Sequence, residues 1–115
     1  MPMRKVTLIE APTSAGAYAP GQEDGPRALL DAGLRKGLET VGVTVHIGGQ
    51  VSPFRWRPDP ENPRAANAGA IIDRASQVAS LVRSGDTILV LGGDCTVGVG
   101  TVAGLLDRSA RLGLI

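Results

Sequence analysis

The 115-residue sequence predicts an α/β protein built in three layers, α-β-α, with helices on both faces of a parallel sheet. Three observations carry this. Short apolar runs alternate with stretches of helical spacing in the order β-α-β-loop-α-β-α-β, and such alternation implies crossover helices covering a parallel sheet. The run from Thr87 to Leu91 is continuously apolar, as strands buried on both faces are. The chain stops on the apolar Leu112-Gly113-Leu114-Ile115, in mid-strand. The expectation is therefore one domain over residues 1–115 that is incomplete at its carboxyl terminus.

Lys5 to Ile9 reads as the first strand, ended by Pro12 and a Gly/Ala/Pro-rich stretch. Pro26 stands where a helix can begin, because the first turn needs no amide hydrogen from that residue. Glu23 and Asp24 read as capping residues there, where negative charge is favoured. Leu29, Leu30, Leu34 and Leu38 carry helical spacing, predicting a helix over 26–40 that Gly33 and Gly37 weaken. Val41 to Ile47 alternates as a second strand, with His46 on its polar side as a structural or surface histidine. From Gly48 to Ala66 runs a proline-rich loop, long for a compact domain. Phe54 and Trp56 are spaced to dock one side of it against the body. A surface loop is expected, with a substrate entrance or subunit contact as the sharper alternative.

Ala68 to Arg83 reads as a helix with Ile71, Ile72, Ala75, Val78, Ala79 and Val82 inward, and Gly85 as its left-handed cap. After the strand over 87–91 comes the turn Gly92-Gly93-Asp94-Cys95-Thr96. A small-residue helix follows over 97–107, and a further strand over 111–115. That last strand, if uncovered, predicts self-association.

Composition excludes several functions. Net charge is +1, with 12 basic and 11 acidic residues and no basic stripe to neutralise phosphates. One Phe, one Trp and one Tyr give no stacking platform for single strands. Neither a nucleic-acid nor a membrane partner is expected, since no apolar run approaches the ~20 residues of a span. The lone Cys95 forms no internal disulfide and fits a reducing compartment, and Met1–Lys5 leads into no signal-like apolar stretch. The expected location is the cytoplasm.

The turn at 92–96 carries the chemical information. Two glycines let backbone turn sharply beside a ligand. Asp94 and Cys95 then offer a carboxylate and a thiol at a helix start, where a thiol tends toward thiolate. Cys95 alternatively reads as a small buried hydrophobe, and Asp94 as a helix N-cap. Gly98-x-Gly100-x-x-Ala103 imitates a dinucleotide fingerprint. Its glycines fall inside the following helix rather than at the strand end, so close helix-sheet packing is the expected role. No cofactor-binding loop of that kind is expected.

Two segments resemble the arginase/agmatinase/formiminoglutamase (ureohydrolase) family. One runs from Ile9-Glu10-Ala11-Pro12-Thr13-Ser14 through Gly16 to Gly25-Pro26-Arg27-Ala28-Leu29-Leu30 and Ala32-Gly33-Leu34. The other, Leu89-Val90-Leu91-Gly92-Gly93-Asp94-Cys95-Thr96, is similar to the family's Gly-Gly-Asp-His-Ser motif. The resemblance implies a metal-dependent hydrolase of guanidino or amidino C–N bonds, with two Mn²⁺ ions activating water. It implies trimers or hexamers. It also places Cys95 at the position of a metal-binding histidine, with Gly92, Gly93, Asp94 and Thr96 holding the loop. Cysteine departs from the pattern and biases the site toward Zn²⁺, or toward no metal. The family's Asp-Ala-His-x-Asp and Asp-x-Asp motifs are absent from the 115 residues, so this chain alone is expected to be inactive and its catalytic residues stay unassigned. The alternatives are a non-catalytic family fragment acting through partners, a nucleotide-binding module, or a Cys95 nucleophile that would require His46 as its base.

Overall fold

The structure is a computed structural model that describes residues 4–83, 87–108, 111–113 and 115. Its first strand, β1 (Arg4–Ala11), is central. Successive β1 side chains face opposite sides of the sheet. Leu8 looks one way with Val45 and Leu91, against Leu30, Leu34 and Leu38. Ile9 and Ala11 look the other way, against Val78 and Val82. Leu8, Ile9, Val51, Val78 and Val82 are fully buried, which stabilises the fold by about 1.5–3 kcal/mol for each side chain.

The helix expected over 26–40 is two helices, α1 (Gly25–Asp31) and α2 (Leu34–Thr40). Gly33 adopts φ 96° between them. A β-carbon resists that left-handed conformation, so glycine permits the break. The break turns the leucine stripe so that Leu30, Leu34 and Leu38 all reach the core, while Leu29 is left exposed. Asp24 holds the N-cap position of α1 without a side-chain cap bond.

Strand β2 (Val43–Gln50) pairs parallel with β1. Leu8 pairs with Ile47 but Ile9 with Gly49, so Gly48 is an extra residue in a bulge. The proline-rich segment is not free beyond β2. Val51 N–H donates to Glu10 O (2.8 Å), Phe54 N–H to Pro12 O (3.1 Å) and Ser14 N–H to Phe54 O (2.9 Å). Trp56 N–H donates to Ser14 Oγ (2.7 Å). Phe54 and Trp56 are half-buried, as docking requires. The guanidinium carbons of Arg74 and Arg57 lie 4.9 and 5.5 Å from the Phe54 ring centre.

The loop ends at Asn67, φ 57°, before α3 (Ala68–Val82). The Asp59 carboxylate accepts the Asn67 amide at 2.9 Å. That bond, followed by the Asn62 side chain, holds the Asp59 pKa below the usual aspartate value.

Strand β3 (Ile88–Gly92) pairs parallel with the other edge of β1, giving the order β2-β1-β3. Helix α4 (Val97–Leu106) follows. α1 and α2 cover one face of the sheet, α3 and α4 the other. The three-layer parallel architecture is as expected.

Several expectations need correction. β3 is half-buried apart from Leu91, because it borders the described sheet and only β1 pairs with it. Gly100 and Gly104 serve helix-helix packing, not helix-sheet packing. A β-carbon on Gly100 would meet Ala75 O and stand 2.9 Å from Val78 Cβ, and one on Gly104 would stand 2.6 Å from Ala79 O. Residues 111–113 and 115 form no strand, and Leu112 and Ile115 are exposed. Leu114 and the expected Gly85 cap lie outside the described residues.

Candidate functional site

The direction of winding reverses at β1. The chain passes from β1 to β2 on one side, then crosses to β3 on the other. In open parallel sheets this reversal parts the loops beyond the strand ends and leaves a crevice for ligands. Here the loop after β1 and the turn after β3 meet at that position.

The two lips are joined by Asp94, which is 5% exposed. Its Oδ2 accepts the Gly16 amide at 2.8 Å. Its Oδ1 accepts the Thr96 amide at 2.8 Å and also a short bond from the Thr96 hydroxyl. Its own amide donates to Thr13 O at 3.0 Å. Such bonds to a carboxylate contribute about 1.5–3 kcal/mol each. Asp94 is therefore not the N-cap of α4, a place that Thr96 takes. It makes a local turn with Thr96 and reaches across 78 residues to Gly16.

Gly93 is fixed by the same contact. A β-carbon there would stand 2.6 Å from Ala11 O and also strike Thr13 O. Gly16 is equally confined, since its β-carbon would overlap the Thr96 methyl and lie 2.9 Å from Asp94 Oδ1. Gly92 is half-buried at the end of β3, and its carbonyl lies 2.8 Å from where a Gly25 β-carbon would be.

Cys95 is exposed on this turn, which overturns its reading as a buried hydrophobe. The glycines and Asp94 take the inward positions, so the thiol points outward. His46 is also exposed and pairs in register with Thr7. β1 lies between His46 on β2 and the β3 turn, and neighbouring strands are ~4.8 Å apart. The structure does not bring the two together as nucleophile and base. Gly98 and Gly100 lie within α4, so they form no dinucleotide-binding turn at the strand end.

Sequence reasoning missed Thr13 and Gly16 as partners of the turn. Their presence in the first resembling segment is the signal that marks them. Glu23 closes the far end of that loop, accepting the Gly21 amide at 2.7 Å and pairing with Arg55 at 2.6 Å. Burial raises its pKa, but bonds from Ser14, Gly21 and its own amide, with the Arg55 charge, outweigh this and leave it below the ordinary glutamate value. A cleft of about 200 Å³ opens behind the loop, lined by Glu10, Glu23, Asp24, Arg27 and Gln50.

The described residues do not fit a two-manganese centre. Among them no three His, Cys, Asp or Glu side chains come together to hold a metal ion. Both Asp94 oxygens are engaged by protein donors, and Cys95 offers a sulfur where Mn²⁺ favours oxygen and imidazole. No helix among them is long and apolar enough to cross a membrane.

The family model for arginases matches residues 4–115. Arginase from Eremothecium gossypii is 33% identical over 121 residues, covering 97% of this chain and 30% of that protein. Human arginase-1 is 33% identical over 118 residues, covering 97% and 36%. The solved structure of arginase from Bacillus caldovelox superposes with a TM-score of 0.82 at 27% identity, covering 96% of this chain and 39% of that one. Arginase from Bacillus cereus gives 0.78 at 28% identity. The chain thus spans roughly a third of the length of these relatives. Its matched sequence and parallel fold make it a member of the arginase family.

Proposed function

We propose that the chain supplies one wall of the active centre of a ureohydrolase, cleaving a C–N bond of a small guanidino or amidino substrate. The turn from Gly92 to Thr96 carries this reading. It ends β3 beside β1, where the winding reverses, is fixed by Gly93 and Asp94, and exposes Cys95 at the position resembling the family's metal-binding histidine. Gly93 and Asp94 set the backbone, Thr96 braces the carboxylate, and Cys95 presents a thiol suited to Zn²⁺ rather than Mn²⁺. The remaining ligands would come from outside the described residues. We place the protein in the cytoplasm, as a homo-oligomer such as a trimer or hexamer.

The deciding experiment combines the intact mass of the protein from its native source with urea release from guanidino substrates. Mn²⁺ or Zn²⁺ is added before and after chelation. We expect a mass well above 11.8 kDa and urea release that chelation abolishes. Absence of urea release at native length, with either metal, would refute the reading.

A second reading is favoured by one specific observation, the cysteine at the position resembling the family's metal-binding histidine. It makes the chain a non-catalytic relative acting through protein partners. It predicts no stoichiometric metal and no activity gained by Cys95→His.

A further inference from the structure

We propose that Ser14 is a positioning residue of this site, tying the proline-rich segment to the stretch of chain that holds the Cys95 turn. The inference rests on the ureohydrolase reading and adds residues 53–56 to the site as the support of that turn.

Beyond Ala11 the sheet pattern continues without regular strands. Thr13 bridges to Phe54 in parallel register. On that side Phe54 N–H donates to Pro12 O (3.1 Å) and Ser14 N–H to Phe54 O (2.9 Å). On the other side Asp94 N–H donates to Thr13 O (3.0 Å), and Gly16 N–H donates to Asp94 Oδ2 (2.8 Å). Residues 12–16 are therefore held between the proline-rich segment and the turn. Gly93 packs directly on the backbone of Ala11 and Thr13. A displacement of Thr13 thus carries the turn with it, because close-packed backbone leaves no slack.

Ser14 adds a side-chain tie to these backbone bonds. It is fully buried. Its hydroxyl accepts the Trp56 amide at 2.7 Å. Its single proton is shared between Phe54 O, at 3.4 Å, and the Glu23 carboxylate. Alanine at this position would leave the half-buried Trp56 amide without its acceptor, and such a donor is costly unless it reaches water. The segment would then move outward. Phe54 O holds the Ser14 amide, so the movement pulls on Ser14 and on Thr13 beside it. Cys95 rides on Asp94, whose amide Thr13 O holds.

The test uses the protein at native length and reads amide hydrogen exchange, which reports local opening residue by residue. In Ser14→Ala we expect the Trp56, Asp94 and Gly16 amides to exchange about five- to tenfold faster, the scale of one lost hydrogen bond. The amides of Ile9 and Val78, in the core, should keep their rates. For urea release, kcat should fall by a similar factor with KM within about twofold, as when an interaction made only in the transition state is lost. A second variant perturbs the segment from outside. Arg74 on α3 donates to Ser52 O (3.2 Å) and Pro53 O (3.3 Å) and stacks on Phe54. Arg74→Ala should loosen the segment and speed the Asp94 amide in the same direction. Faster exchange at Trp56 with Asp94 and Gly16 unmoved in both variants would confine Ser14 to holding the segment, and would overturn the inference. Uniform acceleration that includes Ile9 and Val78, or an unchanged kcat, would overturn it too. A parent protein that releases no urea would refute the ureohydrolase reading itself, and Ser14's role in it, whatever the exchange shows.

Discussion

Replacing Asp94 by alanine should cost the fold about as much as losing a buried core methyl cluster, although no apolar contact is removed. The carboxylate accepts from the Gly16 amide, the Thr96 amide and the Thr96 hydroxyl. Bonds to a charged group are worth about 1.5–3 kcal/mol each. The three are not additive, because Thr96 supplies two of them to one oxygen. Gly16 is exposed, so its amide regains water, whereas Thr96 is half-buried. The expected loss is about 3 kcal/mol, a large share of the roughly 6–17 kcal/mol that a chain of this length commands. At about 4 °C per kcal/mol the melting temperature should fall by about 12 °C. Asp94→Asn keeps one acceptor oxygen but turns donors toward a donor, so it should recover about half of the loss. Urea denaturation of the three proteins gives the midpoints directly. An alanine variant within about 0.5 kcal/mol of the parent, the usual range for surface changes, would refute the latch.

Other outcomes follow from the same contacts. Gly93→Ala should prevent stable folding, since backbone carbonyls of Ala11 and Thr13 occupy the methyl's place; expression and circular dichroism check it. Gly100→Ala should cost about 1–3 kcal/mol by forcing α3 and α4 apart, whereas Gly98→Ala, with open space around it, should be neutral or stabilising by up to ~1 kcal/mol; paired thermal melts compare them. Glu23 has a folded pKa below its unfolded one. Its contribution is thus present above the ordinary glutamate range and is lost as pH falls through the lowered value. Glu23→Gln should flatten the acid limb of the stability–pH curve and leave neutral-to-alkaline points parallel to the parent. Cys95 should react stoichiometrically with a disulfide reagent in the native state; a rate limited by unfolding would refute its exposure.

Periodicity was enough to read the elements near the core. The strand around Lys5–Ile9, the helix from Ala68 and the strand before Gly92 all lie where apolar spacing puts them, because burial of Ile9, Val78 and Val82 dictates that spacing locally. It did not show that Gly33 splits a helix. A left-handed glycine and a tolerated helical one look alike in sequence, and only the direction of α2 onto Leu8 and Val45 distinguishes them.

The site divides in the same way. The sequence determined the Gly92–Thr96 motif, the family it resembles and the odd cysteine within it, since these depend on residue type and order alone. Only the tertiary structure decided that Asp94 faces inward to Gly16 while Cys95 faces out. It also showed that His46 stands across β1 from the turn. The physical reason is range. Hydrophobic period and turn chemistry act over a few residues, but the Asp94–Gly16 bond spans 78 positions and exists only once β3 lies beside β1.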